Sequence, residues 1–410
     1  MKSFDSLIVK IIRKICLFTF FSVAGLCCVF LMMTGWFYIT CPVYSFEEPK
    51  PFSGHQFYNP YQNIHANAWM KCVFHLHTKS WMGLSNGENT SEEVRDVYRQ
   101  LNYDLIAISD YMRINRFETP EIPFIPTFEH GYNIKKVHQL ALGADRVVWR
   151  DYFFKQNLHH KQHIIDLLKK NSLLVAVNHP SMRSSYLPEN FIYLSGYDLF
   201  EVQNGTHISE AAWDAALSSG YPAWLIANDD AHTVNNPARV QREVTFVNVP
   251  APGRDEILNR LAQGVSFGVH CPRKKQSTME KKMKESESFS FPLTIQVYED
   301  TLRVVWQQTM QHIEFIGDNG NVLESVKNSD FAIYAIHPED SYIRVKLTSA
   351  DDVVYYLNPV IRYAGDEPFL QRVSHIDRNK TFQKRLFFSV IIFSVIVVFT
   401  LYLRYLRASC

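Results

Sequence analysis

The chain has 410 residues, with 42 basic against 41 acidic side chains and a net charge of +1. That balance excludes nucleic-acid binding driven by bulk charge, so no nucleic-acid partner is expected. The seven scattered cysteines form no C-x-x-C pair, which excludes a disulfide framework or a zinc finger.

Residues 1–14 carry Lys2, Lys10, Arg13 and Lys14 and read as a cytoplasmic N-terminus. Residues 15–39 follow as an uncharged apolar run long enough to cross a bilayer. The run is longer than the apolar region of a signal peptide, and no small-x-small cleavage site stands out. An uncleaved anchor is therefore expected. Residues 386–403 form a second uncharged apolar run, followed by a short tail at 404–410. The positive-inside rule puts the middle of the chain on the extracytoplasmic side. The second run adds little to that vote. Lys384 and Arg385 precede it, and Arg404 and Arg407 follow it.

Between the anchors, residues 40–68 are rich in Pro, Tyr and Asn and read as an irregular leader. Over 69–272, strand-like and helix-like runs alternate. Strands are expected at 72–76, 105–109, 173–177, 199–202 and 224–227, with helices at 91–101, 160–170, 209–218 and 255–263. Thr90 and Glu93 fit a capping box. This alternation predicts an α/β fold with a parallel sheet, open or closed into a barrel. Residues 273–288 are a charged linker. Short strand-like runs separated by turn signals over 289–363 predict a small all-β sandwich, and 364–385 lead to the second anchor as a juxtamembrane segment.

The first strand ends in HLHT. Side chains alternate along a strand, so His75 and His77 share a face, roughly 7 Å apart. Two readings are open for them: a hydrogen-bonded core pair, or ligands of a metal. Similar polar residues recur where later strands end or begin: Asp110, Glu129, His138, His179, and Asp230 with His232. Functional groups of parallel α/β folds collect at strand C-termini. Carboxylates mixed with imidazoles suit Zn, Mn or Fe better than Ca or Mg.

The ordered series HLHT, ISD, FEHG, VHQLALG, VNHP and NDDAH resembles the polymerase and histidinol phosphatase (PHP) superfamily of metal-dependent phosphoesterases. The resemblance covers about residues 69–268. SNGENTSEEV resembles the family's S-D-G loop and the helix after it, while FEVQNGTH and YLNPVI resemble a branch that ends in a small β module. It implies a distorted (β/α)7 barrel, here followed by the β-sandwich and flanked by two transmembrane helices. It implies that His75, His77, Glu129 and Asp230 hold one divalent transition metal. Glu129, His138 and His179 would hold a second, with Glu129 bridging. A hydroxide activated by the metals would be the nucleophile, with Asp230 and Glu129 as catalytic carboxylates. Asp110, Tyr111, His232, Glu201 and Asn204 would serve a third site or support the ligands. Arg113 and Arg183 would bind phosphate.

Two departures stand out. Tyr111 replaces the family's histidine of a third metal site, and Asn86 replaces the aspartate of the S-D-G loop. The expectation is a two-metal (Zn, Mn or Fe), membrane-anchored hydrolase acting on a phosphorylated small molecule or a lipid-linked phosphate. A metallohydrolase of amide or carbamate bonds, and a degenerate module that binds metal or ligand without catalysis, are the alternatives.

Overall fold

Two long helices bracket the chain in the computed structural model, which describes residues 2–119, 122–205, 207–272, 277–369 and 372–408. Parts of the expected linker (273–276), juxtamembrane segment (370–371) and tail (409–410) lie outside the described residues, as does Thr206 of FEVQNGTH. The helices are Lys2–Thr40 and Arg378–Ala408. Ile11–Thr40 and Arg378–Ala408 are long and apolar enough to cross a membrane.

The end of the first helix meets the start of the second. Lys384 donates to the carbonyls of Tyr38 and Cys41 at 2.9 and 3.0 Å, and Arg385 donates to that of Thr40 at 2.9 Å. A helix C-terminus leaves carbonyls unpaired and carries the negative end of the dipole. The basic pair in front of the second apolar run is therefore a cap for the first helix. Beside it, Tyr44–Ser45 pairs antiparallel with His375–Ile376.

The strands form two large mixed sheets. One runs in the order Trp224–Asn228, Leu199–Asn204, Leu174–Val177, Gln139–Leu142, Thr127–His130. Its first two pairings are parallel and its last two antiparallel. The all-parallel expectation is thus corrected, for a physical reason. Only residues 131–138 separate Thr127–His130 from Gln139–Leu142. A parallel return needs a crossover of a dozen residues or more, whereas a hairpin does not.

The other sheet runs Pro292–Tyr298, Thr301–Ile316, Tyr342–Thr348, Val354–Leu357, Ser266–His270, Glu243–Asn248, Trp69–Val73, Leu105–Ile106. Neither ladder closes on itself among the described residues, and the fold is mixed α/β with no closed barrel. Isolated parallel bridges, Leu76 to Ala231 and Tyr111 to Glu129, join the two sheets where the site lies.

The C-terminal strands extend this sheet instead of forming a separate sandwich. Ser266–His270 pairs antiparallel with Val354–Leu357, for example Phe267 with Leu357. An unpaired strand edge offers a row of free backbone groups, and here the C-terminal strands fill it. The charged run is also not wholly solvated. Met279–Glu287 is a helix capped by Thr278, and Lys282 is buried, donating to the Gln241 carbonyl at 3.2 Å.

Trp69–Val73 is buried along its length because a core lies on each side of it. Cys72 and Phe74 face one core with Leu140, Phe200 and Leu225. Val73 and Leu76 face the other with Phe246, Phe267 and Trp306. The expected capping box is present, with Thr90 Oγ1 accepting from Glu93 N–H and Glu93 accepting from Thr90 N–H. It anchors Ser91–Gln100, which buries Val94 and Tyr98.

Candidate metal centre

His75 and His77 follow strand Trp69–Val73 at full burial, and their rings approach each other with the two Nε2 atoms 3.2 Å apart. Glu129 projects from the neighbouring sheet into the same space. Its Oε1 lies 3.3 Å from His75 Nε2, 2.8 Å from His138 Nδ1 and 3.1 Å from His179 Nε2. Its Oε2 lies 3.2 Å from His77 Nε2. Asp230 Oδ1 completes the cluster, 3.2 Å from His75 Nε2 and 3.1 Å from His77 Nε2. Six residues from five segments of sequence thus converge on one point.

Two groups have donor atoms mutually within 4.8 Å: His75, Glu129 and His179, and His75, His77 and Asp230. His138 is outside both groups, but it touches Glu129. The spacings carry a chemical message. Four ligands about 2.1 Å from a tetrahedral ion are about 3.4 Å from one another. Glu129 Oε2 and Asp230 Oδ1 approach imidazole nitrogens this closely, yet they have no hydrogen-bond partner among the described residues. His77 Nδ1, His138 Nε2, His179 Nδ1 and Asn178 Oδ1 are likewise buried and unpartnered. Buried polar atoms are normally paired. This donor set fits a divalent metal. His130, beside Glu129, shows the other outcome: its Nδ1 lies 3.0 Å from Gln139 Oε1 and its Nε2 2.8 Å from the Arg150 carbonyl.

Backbone strain marks the site. His179 and Asp230 hold φ of 28° and 48°, in the left-handed region that non-glycine residues seldom adopt. Asp229 holds the turn after Asp230. It accepts backbone N–H groups from Gln241, Arg242 and Glu243 at 2.7 to 3.0 Å, and the Tyr98 hydroxyl at 2.6 Å.

Glu201 and Asn204 lie against the cluster and hydrogen-bond its members. Glu201 Oε1 sits 2.9 Å from His75 Nδ1 and accepts from Asn228 at 3.0 Å, while Oε2 accepts from the His179 N–H at 2.9 Å. A carboxylate on Nδ1 leaves His75 Nε2 free to face the cluster. Asn204 joins Glu201 to Asp230, donating at 2.9 and 3.3 Å. Tyr111 and His232 both lie beside His77, with ring centroids 4.3 and 4.4 Å from it and 6.1 Å from each other.

Asp110 is committed elsewhere. It accepts from the Thr78 N–H and hydroxyl at 2.8 and 2.9 Å and from Asn115 at 3.0 Å, which pins the loop after His77. Arg183 donates to the Ile134 carbonyl at 3.2 Å, and Arg113 lines a groove with Arg116 and Arg146. Neither arginine belongs to the donor cluster.

The electrostatics follow from the crowding. Burial pushes the Glu129 and Asp230 carboxyls up, but His138 and His75 beside Glu129, and His75 and His77 beside Asp230, outweigh it and hold both well below the carboxylate range. Burial opposes charge on His75 and His77 too, and there the carboxylates win and raise both. For His138, burial wins and lowers it, and His232 is lowered to about 4 by burial and then by His77.

Sequence reasoning missed Asn178, which donates to Glu129 at 3.1 Å, and Asn228. It also missed the glycine of FEHG. Gly131 has φ of 131°, and a Cβ there would lie 2.4 Å from His138 Cδ2. The Glu129–His130–Gly131 turn is readable as a signal only once His138 is known to fold back over it.

No family model and no curated protein matches the chain. Among solved structures, a two-domain protein from Bacteroides vulgatus ATCC 8482, containing a predicted PHP-like metal-dependent phosphoesterase, is 15% identical. That match covers 75% of this chain and 100% of the other, at a TM-score of 0.40. PsfC from Pseudomonas syringae PB-5123 is 11% identical, covering 53% of this chain and 96% of its own, at a TM-score of 0.37. Both scores are below the level at which a shared fold follows.

Proposed function

We propose that the chain is a membrane-anchored, metal-dependent hydrolase of phosphate esters. The observation that carries this reading is the buried convergence of His75, His77, Glu129, His179 and Asp230, with Glu129 Oε2 and Asp230 Oδ1 left without hydrogen-bond partners among the described residues. On this reading, His75, His77, Glu129 and Asp230 hold one Zn, Mn or Fe ion. Glu129, His138 and His179 hold a second, and Glu129 is shared. Such ions, when bound, lower the pKa of a coordinated water and polarise a phosphoryl oxygen.

The chain's own residues supply orientation and proton handling. Glu201 fixes the His75 ring with Nε2 toward the cluster, and Tyr111 and His232 pack against the His77 ring. Asp230 is 10% exposed against 0% for Glu129. It is the carboxylate that reaches the mouth, so it is assigned the proton of the attacking water. The two sheets, tied at Leu76–Ala231 and Tyr111–Glu129, are on this reading an opened, distorted form of a (β/α)7 barrel. The adjacent helix junction supports a membrane hairpin with both termini on one side. Arg13, Lys14, Arg404 and Arg407 favour the cytoplasm for those termini and the extracytoplasmic side for the hydrolase.

The test is metal content of the full chain in detergent, by elemental mass spectrometry, beside His75→Ala/His77→Ala. Close to two transition metals per chain, largely lost in the variant, with hydrolysis of p-nitrophenyl phosphate or its diester, is the expected result. A folded chain that takes up no Zn, Mn or Fe overturns the reading. Metal with turnover only on amides or carbamates redirects it.

A further inference from the structure

The donor cluster opens beside an apolar wall. A cleft of about 560 Å³ is lined by Trp81, Leu84, Asn86, Tyr111, Lys136 and Trp149, among others. Trp81 Nε1 donates to the Tyr111 carbonyl at 2.8 Å, and Tyr111 stacks on His77. Lys136 Nζ lies 5.2 Å over the Tyr111 ring. A cation therefore stands between the wall and the cluster.

The wall is exposed to an unusual degree. Met82 is 100% and Leu84 86% exposed. The loop that presents them is strained, with Trp81 and Met82 at φ of 52° and 54°. Strain in non-glycine residues persists where the surroundings impose it. Here the Trp81–Tyr111 hydrogen bond and a Ser80–Ser85 contact at 2.9 Å hold the loop.

The wall is continuous with the first apolar helix. Trp81 meets Trp149 edge to face at 5.9 Å. The next residue, Arg150, donates to the Phe37 carbonyl at 3.0 Å and bonds the Thr40 hydroxyl. Phe153 packs on Phe30 at 5.1 Å. Past Arg13 and Lys14 the helix runs over residues 15–40, 26 residues. That is about 39 Å of helix against about 30 Å of hydrocarbon. The surplus of about 9 Å, roughly six residues, matches the stretch that packs on the folded part, from Thr34 onward. Phe30 and Phe153 then lie just inside the hydrocarbon edge, which puts Trp149, joined to the helix end through Arg150, near headgroup level with Trp81 against it. Arg113, Arg116 and Arg146 line the adjoining groove. Aromatic and basic side chains are what a bilayer surface with anionic headgroups recruits.

We infer that the cleft admits an anionic lipid with a terminal phosphate from the adjoining leaflet, its acyl chain along Trp81, Leu84 and Trp149 and its phosphate drawn past Lys136 to the donor cluster. The inference rests on the phosphoesterase reading for what happens at the cluster. It does not need that reading for lipid entry.

The test places the full chain in phosphatidylcholine nanodiscs with a trace of phosphatidic acid carrying a diazirine on its acyl chain. Photolabelled peptides are mapped by mass spectrometry. Labels on the segments holding residues 81–84 and 149–154, beyond those on the two apolar helices, are expected. Met82→Glu/Leu84→Glu should lower them about tenfold, since each added negative charge is repelled by an anionic surface. Labels confined to the two helices overturn the inference, as does equal labelling by diazirine phosphatidylcholine. A parallel assay separates the two readings. Hydrolysis of p-nitrophenyl phosphate with labels only on the helices sinks lipid entry and keeps the hydrolase. Cleft labels with no hydrolysis of phosphatidic acid or p-nitrophenyl phosphate do the reverse.

Discussion

The protein buries two clusters of charge, and they are built on opposite plans. In one, the Arg344 guanidinium donates to both Asp214 oxygens at 2.8 Å and to Glu210 at 3.0 Å. The Tyr342 hydroxyl and Lys346 engage the same carboxylates, at 3.0 and 2.9 Å, and Trp213 lies under the guanidinium. This cluster joins helix Glu210–Ser218 to strand Tyr342–Thr348. In the other, around Glu129, charges crowd to similar distances while several donor atoms stay unpaired. The first cluster neutralises itself. The second leaves Glu129 Oε2 and Asp230 Oδ1 without hydrogen-bond partners among the described residues, a set that suits a divalent metal. Buried charge alone is a poor guide to function; the direction of the unspent lone pairs is a better one.

Mutation can break this contrast. Asp214→Ala removes one partner of a buried ion pair and should cost about 3–5 kcal/mol. A fall in the thermal midpoint with unchanged metal content per folded chain is the expected result. Substantial metal loss from the folded variant would mean that the two clusters are coupled. Glu201→Gln is the reverse case. It keeps the volume but weakens the hold on His75, and should lower metal affinity about 10–100-fold. Competition with a chelator measures it, and an affinity unchanged within error would remove Glu201 from the supporting set. Gly131→Ala probes the smallest displacement. Its Cβ meets the His138 ring, so His138 must move. A drop in metal affinity of about tenfold is expected, with elemental analysis after graded dialysis as the check. If affinity holds, His138 is no ligand.

The members of the donor cluster were legible because strand ends are local. An apolar run that stops at a histidine or carboxylate can be read without knowing its partner. His75, His77, Glu129, His179 and Asp230 were all found this way. What surrounds them was less legible. Asn178, Asn228 and Gly131 matter through residues far along the chain or through a backbone angle, and no local pattern reports either. The strands Glu243–Asn248 and Ser266–His270 were passed over, and with them the link that merges the C-terminal strands into one sheet. Pairing between distant strands is chosen by packing, not by propensity. The antiparallel return after Glu129 was readable from loop length, and the alternation of elements hid it. Asp110 was singled out as well; Thr78 and Asn115 occupy it, which ties it to the loop after His77.

The paired ends of the folded part have a consequence for its resistance to unfolding. Val43 N–H donates to Thr381 Oγ1 at 3.0 Å, Asp377 N–H donates to the Val43 carbonyl at 2.9 Å, and Lys384 closes the first helix. On the membrane-anchored reading, two helices side by side in a bilayer would keep those ends together even when the middle opens. The bilayer then acts like a cross-link around a very long loop. It lowers the entropy of the open chain, and because closure entropy grows only with the logarithm of loop length, most of that effect comes from the tether itself. A version cut free of both helices keeps every contact of the site and loses this restraint.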